Sequence, residues 1–409
     1  MADPMPVDEL LHSRSILAGY DPSRLAAGRV LVVGIGALGQ NVVQNLALIG
    51  VGGLALIDFD TFEDHNATRS PFYPSRRDAL ALGLAKAPVA AHRAVEASTA
   101  PEPRVLYSTD LVQDLGDGIL AWADVVVAAV DNLGARAWLA ERCRVRGVPM
   151  VEAGFSGAKF NVAAFSGRSG EVCYRCGQPD RESSASCTQY ALAAEAAQVV
   201  PAIQTTAATL AGIQTEQVIQ LLHGHEGLVG RCVYGDIRVP TLRAAVLQAS
   251  PDCPGRHDAL PVLGRIEAAA DMHLLSRAVR EAVGPADVEL AEPVLLEWFC
   301  TKRGKLCEVR ATEAAWLRSP ACTECGGPWP ASREQSPSSV LHFGTDEGLP
   351  QAFASAAPAA LGLRPGAALV VTPRAESAEP GIVVLEGDPL SGFREAERRP
   401  ESAISLTDG

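Results

Sequence analysis

The sequence predicts an α/β protein with a doubly wound, largely parallel sheet, zinc-binding elements and a small C-terminal α+β or β-rich module. Three observations carry this expectation. Apolar strand-like runs alternate with amphipathic helical runs through the first half of the chain. The first of these runs, "RVLVV", leads into Gly34-x-Gly36-x-x-Gly39, the tight turn that carries a strand into a helix beneath a phosphate. After "SPDCPGRH" (250–257) the alternation ends and short strand-like runs dominate.

Taken in order, apolar runs predict strands at 29–34, 53–58, 103–107, 124–129 and 149–153, with helices at about 37–49, 79–97 and 133–146. Another strand is expected at 158–165, followed by a Cys-, Arg- and Ser-rich stretch at 170–190. A long helix near 201–223 and two strand-like runs within 230–247 close this part. Beyond it the pattern predicts a helix near 265–283, a hairpin in "PVLLEWFCTKRGKLCEV" and a knuckle in "SPACTECGGPWP". A Ser/Pro/Glu linker is expected at 331–338. "ALVVTP" and "GIVVLEGD" read as strands of a last small module, and a polar tail ends the chain. The expected divisions are therefore 1–258, with a crossover at about 170–200, then 259–330 and 331–409.

The chain has 409 residues and a formal net charge of −13, which argues against a nucleic-acid binder because such proteins need a basic face. No apolar run reaches the roughly 20 residues of a membrane span, and the acidic N-terminus does not read as a signal peptide. A cytoplasmic location is expected. There disulfides are disfavoured, so the C-x-x-C pairs Cys173/Cys176 and Cys322/Cys325 read as metal ligands.

The glycines have separate tasks. Gly34 permits the turn, Gly36 lets backbone approach a phosphate, and Gly39 lets the helix pack closely on the strand. Asp58, about 20 residues on, can accept hydrogen bonds from ribose hydroxyls. That much suits a nicotinamide oxidoreductase as well as an ATP enzyme. "DHNATRS" then supplies Asn66 and Arg69, and Lys86 opens the next helix. A guanidinium fork and an ammonium both suit a triphosphate. Asp131-Asn132 follows the fourth strand, where a carboxylate can hold Mg2+ or the pair can cap a helix. Hydride transfer gives Asn66, Arg69, Lys86 and Asp131 no joint purpose.

"RVLVVGIGALGQ", "LIDFDTFEDHNATRS", Lys86, "AVDNLGAR" and "CYRC" occur in the order found in the ThiF/MoeB/HesA superfamily, which residues 8–258 resemble. Its members adenylate the C-terminal glycine of ubiquitin-like or sulfur-carrier proteins, and ubiquitin-activating enzymes are among them. The resemblance implies a Rossmann-like sheet, ATP and Mg2+ as reactants, and Zn2+ as a structural metal. Asp58 would bind ribose, Asn66, Arg69 and Lys86 the phosphates, and Asp131 the magnesium. Arg14, in "HSRSILAGYD", would reach the ATP of a partner protomer and so implies a homodimer. Ala37 departs from the pattern, standing where many members have a third loop glycine.

One set of cysteines follows from the same resemblance, and the others from their spacing and place in the pattern. "CYRC" is similar to the first half of the family's zinc site, whose usual second C-x-x-C is here replaced by Cys253 and His257. Three cysteines and one histidine are a sound zinc set. Cys300, Cys307, Cys322 and Cys325 suggest a second tetrathiolate, although pairing of Cys173/Cys176 with Cys322/Cys325 is an alternative. Cys187, in the crossover, stands where several ubiquitin-like-activating enzymes carry the thioester cysteine, and proximity to Arg181 or to a helix N-terminus would lower its pKa. Cys143 and Cys232 read as core residues. The implied function is ATP-dependent adenylation of a Gly-ended carrier and thioester transfer through Cys187 to a conjugating enzyme. Adenylation alone, for a sulfur carrier or peptide, is the alternative. The C-terminal module is expected either to dock a partner, as in the activating enzymes of bacterial ubiquitin-like conjugation operons, or to support a dimer or act as a lid.

Overall fold

A computed structural model of the protein describes residues 7–177, 203–239, 241–300, 302–318, 325–326 and 338–398. Helices α1 (Val7–Leu17) and α2 (Pro22–Ala27) precede β1 (Arg29–Val33), α3 (Ala37–Leu48) and β2 (Gly53–Ile57). Next come α4 (Arg76–Ala81), α5 (Lys86–Ala97), β3 (Arg104–Ser108), α6 (Val112–Leu115), β4 (Val125–Ala128) and α7 (Leu133–Arg146). β5 (Met150–Ser156), β6 (Lys159–Phe165), α8 (Gln204–Leu222), β7 (Arg231–Asp236) and β8 (Thr241–Val246) complete the first unit. The second contains β9 (Val262–Ile266), α9 (Met272–Val283), β10 (Ala286–Cys300), β11 (Lys305–Thr312) and α10 (Glu313–Arg318). It continues through β12 (Ser338–Gly344), α11 (Gln351–Ala354), β13 (Ala368–Pro373) and β14 (Gly381–Leu385), and β15 (Arg394–Glu395) follows.

The first unit is a sheet in the order β15-β3-β2-β1-β4-β5-β6-β7-β8. β3, β2, β1, β4 and β5 run parallel, and β5 to β8 continue antiparallel. Successive residues of β1 feed opposite cores, as a period of two requires. Val30 and Val32 face Val42 and Leu46 of α3, Ala90 of α5 and Leu210 of α8. Leu31 and Val33 face Val112 of α6 and Leu139 of α7. Burial on both sides explains why β2 and β4 are apolar throughout, and the doubly wound expectation is met.

Local chemistry sets the helix ends. Asp21 caps α2 by accepting from the Ser23 amide, with Pro22 in the first turn. Asn132 caps α7 in the same way through the Ala135 amide at 2.7 Å, so at this residue the capping alternative holds. The single helix expected at 79–97 is two, α4 and α5, with Gly83 between them at φ +56°. The helix expected from 265 begins only at Met272, where Asp271 accepts from the Leu274 amide at 2.8 Å. The residues before it form β9, paired in parallel with β14 more than a hundred residues later. Helical periodicity cannot register such a distant partner.

The second unit's sheet runs β11-β10-β13-β14-β9, and β12 lies along the other edge of β10. Its strands come from both sides of residue 330, so the division expected there falls inside one module. Residues 331–337 of the expected linker lie outside the described residues, and Ser338 already begins β12. One face packs on α9 and α11 through Leu275, Val279 and Phe353. The other, with Val370 and Ile382, meets Val145 of α7. Among the described residues no helix is long and apolar enough to cross a membrane.

A buried carboxylate joins the units. Asp117 accepts from Arg142 Nη2 at 2.6 Å, from Arg146 Nη2 at 3.1 Å and from the Ala368 amide of β13 at 2.8 Å. Arg142 also donates to the Ala368 carbonyl at 2.7 Å. Burial alone would push the Asp117 carboxyl up, but the two guanidiniums outweigh it and hold the pKa at about 2.

Candidate nucleotide site and metal centre

The C-terminal ends of β1, β2 and β4 meet where ligands sit in open parallel sheets. Gly34 has φ +90°, and a side chain there would strike the Ala129–Val130 backbone. A Cβ on Gly39 would collide with the Gly34 carbonyl, so close helix–strand packing demands glycine. At Gly36 a Cβ would meet nothing within 4 Å, so the chain itself does not require glycine. What that glycine leaves open is the approach to the N-terminus of α3, which has no side-chain cap. Uncapped amides at the head of a twelve-residue helix suit an anion.

Asp58 is spent largely on the loop. Its Oδ2 accepts from the Ile35 amide at 2.6 Å and its Oδ1 from the Asp60 amide at 2.7 Å. Burial pushes its pKa up to about 6, against the pull of Lys86 and the two amides. Lys86 Nζ sits 2.9 Å from Asp60 Oδ2, and the Lys86 amide donates to the Asp60 carbonyl at 2.9 Å. The Lys86 side chain is 10% exposed, against 50% for Asp60, so a largely buried ammonium reaches the rim through an accessible carboxylate.

Asn66 is buried, and its Oδ1 accepts from the Glu63 amide at 2.9 Å, which closes a short turn. Arg69 is half-buried and donates to the His65 carbonyl at 3.0 Å; burial lowers its pKa. Asp131 is exposed at the mouth beyond β4. Arg14 is exposed on α1. Cys187 lies outside the described residues.

Two supports were not found from the sequence. Gln40 of α3 is fully buried; it donates to the Ile35 carbonyl at 3.0 Å and accepts from the Phe72 amide at 3.1 Å. It thus ties the glycine turn to the segment bearing Arg69. Arg136 donates to the Val130 carbonyl at 2.6 Å, next to Asp131, and pairs with Glu152 at 3.1 Å. Asn161 donates to Glu152 at 3.1 Å. Gln40 and Arg136 each close a quoted motif, "RVLVVGIGALGQ" and "AVDNLGAR", but nothing in those motifs shows what they hold.

Cys173, Cys176, Cys253 and His257 converge, with every ligand atom within 4.8 Å of the others. The sulfurs of Cys173 and Cys176 are 3.7 Å apart, Cys173 and Cys253 3.6 Å, and His257 Nε2 is 3.3 Å from Cys176 Sγ. Tetrahedral zinc with Zn–S bonds of about 2.3 Å implies sulfur–sulfur edges of about 3.8 Å, so the cluster fits the ion. The Gly255 amide donates to Cys253 Sγ at 3.4 Å, and Arg144 holds the Val172 carbonyl at 2.7 Å. Cys325 lies instead 3.7 Å from Cys300, so the alternative pairing with the "CYRC" half-site is not adopted. Cys322 lies outside the described residues. Cys143 is buried, and burial raises its pKa; Cys232 is half-buried.

A phosphate turn under an uncapped helix, flanked by Lys86 and Arg69 and backed by a zinc-type cluster, defines an ATP-dependent adenylyltransferase class once its relatives are considered. Residues 13–255 match the ThiF family, and the chain belongs to that family. It is 30% identical over 232 residues to the SAMP-activating enzyme E1 of Haloferax volcanii, across 56% of this chain and 81% of that one. It is 29% identical to the molybdopterin-synthase adenylyltransferase of Escherichia coli, across 62% and 98% of the two chains. The fold is similar to that of E. coli MccB crystallised with MccA-N7isoAsn, with TM-score 0.51 and 20% identity over 61% of this chain and 75% of that one. Residues beyond 255 fall outside the family match.

Proposed function

We propose that the protein adenylates the C-terminal glycine of a ubiquitin-like or sulfur-carrier protein. The observation that carries this reading is the convergence of the uncapped α3 N-terminus with the Asp58–Asp60–Lys86 group at the ends of β1 and β2. The α3 amides, Lys86 and Arg69 would bind the triphosphate of MgATP, and Asp131 is the carboxylate offered to its magnesium. Asp58 or its neighbour Asp60 would face the ribose, with Asp60 the more accessible of the two. Asn66 acts by shaping the turn that presents Arg69.

In the reaction, a carboxylate oxygen of the carrier's terminal glycine bonds to the α-phosphorus as the bond to the bridging oxygen of pyrophosphate breaks. Acyl-adenylate and pyrophosphate result. Such a step needs charge neutralisation and alignment more than a general base. In the continuation we favour, the Cys187 thiolate attacks the acyl carbonyl, AMP leaves, and the thioester passes to a conjugating enzyme. Arg14 would complete the site of a partner protomer in a homodimer, and the Cys173/Cys176/Cys253/His257 cluster would hold structural zinc.

ATP–pyrophosphate exchange with carriers ending in glycine tests the first step. Exchange with at least one carrier is expected; ATP binding without exchange for any carrier would defeat the proposal. Adenylation without a thioester is favoured by one observation, the match to nearly the full length of the E. coli adenylyltransferase. The two readings separate on Cys187→Ala: loss of a thiol-sensitive carrier adduct supports the thioester, and its persistence removes Cys187 from the path.

A further inference from the structure

We propose that Gln40 is a positioning residue for the triphosphate: its carboxamide turns the Gly36 amide towards the anion and fixes the segment that carries Arg69. The proposal rests on the nucleotide reading of the site and concerns how this chain's own residues prepare it.

Gln40 is the fourth residue of α3 and has no exposed surface. A carboxamide buried so deeply must be satisfied at both ends. Nε2 donates to the Ile35 carbonyl at 3.0 Å, and Oε1 accepts from the Phe72 amide at 3.1 Å.

The first bond sets an orientation. A trans peptide is planar, and its C=O and N–H point in opposite directions. The Ile35 carbonyl and the Gly36 N–H belong to one such peptide. Gln40 holds the carbonyl inward, so the N–H is turned outward at the uncapped head of α3. That amide has no partner among the described residues, and a Cβ on Gly36 would meet nothing within 4 Å. The preceding peptide is held as well, since Asp58 accepts from the Ile35 amide at 2.6 Å. Ile35 is thus gripped at both backbone groups. Rotating the turn to withdraw the Gly36 amide would break a buried bond.

The second bond anchors a segment. Phe72 stands three residues beyond Arg69 and is buried in the core that also takes Val42 and Val43 of α3. On the other side of Arg69, the Asn66 carbonyl accepts the Arg69 amide at 3.0 Å. Arg69 therefore hangs between two anchors, Asn66 before it and the Phe72–Gln40 bond after it. One side chain links two groups that would meet the phosphates, one at the helix head and one on the 66–72 segment. An apolar residue of the same length would fill the volume but strand the Ile35 carbonyl and the Phe72 amide without partners.

The test compares the full-length parent with Gln40→Met, which keeps the length of the side chain and removes both bonds. ATP binding is read by calorimetry and the Gly36 amide by nitrogen-15 NMR. ATP affinity is expected to fall about tenfold in Gln40→Met, the upper worth of an ordinary hydrogen bond. Saturating ATP should move the Gly36 amide proton downfield in the parent and move it less in Gln40→Met, a signature that loss of packing alone would not give. In an Arg69→Ala background, Gln40→Met should cost about threefold less than in the parent, because part of its effect runs through Arg69. Unchanged ATP affinity in folded Gln40→Met, or full multiplication of the two losses, would overturn the proposal. So would a Gly36 amide that ATP does not move in the parent, a readout that depends on no variant folding. ATP binding that meets these expectations without pyrophosphate exchange for any carrier would sink the adenylation reading and leave the role of Gln40 standing.

Discussion

Asp58 shows how one carboxylate can hold a glycine turn in shape. Two backbone amides occupy its oxygens, and one of them, Ile35, lies inside the glycine turn. Asp58→Asn keeps a single acceptor, so the turn should loosen and the KM for ATP rise about tenfold, the value of one charged hydrogen bond, in exchange assays. Lys86→Ala removes the ammonium that, on the proposed reading, would meet the phosphates. Pyrophosphate exchange should fall about 10²–10³-fold with unchanged circular dichroism. The positions of Gly34, Gly36, Gly39 and Asp58 were legible because their spacing is local to β1, α3 and β2, and that of Lys86 because it heads the next long helix. Gln40 and Glu152 were not, since each matters through partners that only the fold brings near.

At the scale of elements, the approach of α3 to β1 is the tightest constraint in the site. Gly39→Ala must push the helix off the Gly34 carbonyl, and ATP binding by calorimetry should be lost before the fold is. The loops on either side of the cysteine–histidine cluster depend on each other in a different way. Cys253→Ser should remove one zinc per chain and lower the melting temperature, since structural zinc contributes directly to folding. The main strands and the longer helices of the first unit were readable because they are apolar or strongly patterned, whereas the short α2, α4 and α6 were not. The second unit was harder to read: β9 finds its partner in β14, and β10 pairs with three strands in turn.

For the whole molecule, the Asp117 clasp decides whether two units behave as one. Its side chain and that of Arg142 are each 2% exposed, so Asp117→Ala strands buried cations at a cost of about 3–5 kcal/mol. Unfolding should then split into two transitions by calorimetry. Titration acts on the same junction. Asp117 is held near 2 against an ordinary 3.8, so its stabilisation, complete above pH 3.8, is lost as pH falls through about 2. Glu292 behaves oppositely. Burial pushes it from 4.5 to about 7, with Asp114 and Glu313 adding to the shift over an opposing Thr312 hydrogen bond. Stability should therefore decline as pH rises from 4.5 to about 7. Glu292→Gln should flatten that decline in melting temperature against pH.

The pairing of β15 with β3 also bears on the order of folding. Glu395 meets Arg104, 291 residues earlier in the chain, in an ion pair beside that strand pairing. On the ribosome, the edge of the main sheet at β3 stays open until β15, 291 residues on, has emerged. Open strand edges invite pairing with other chains, and contacts so distant in sequence form late. β15 thus seals the edge of a sheet whose central strands were made long before it.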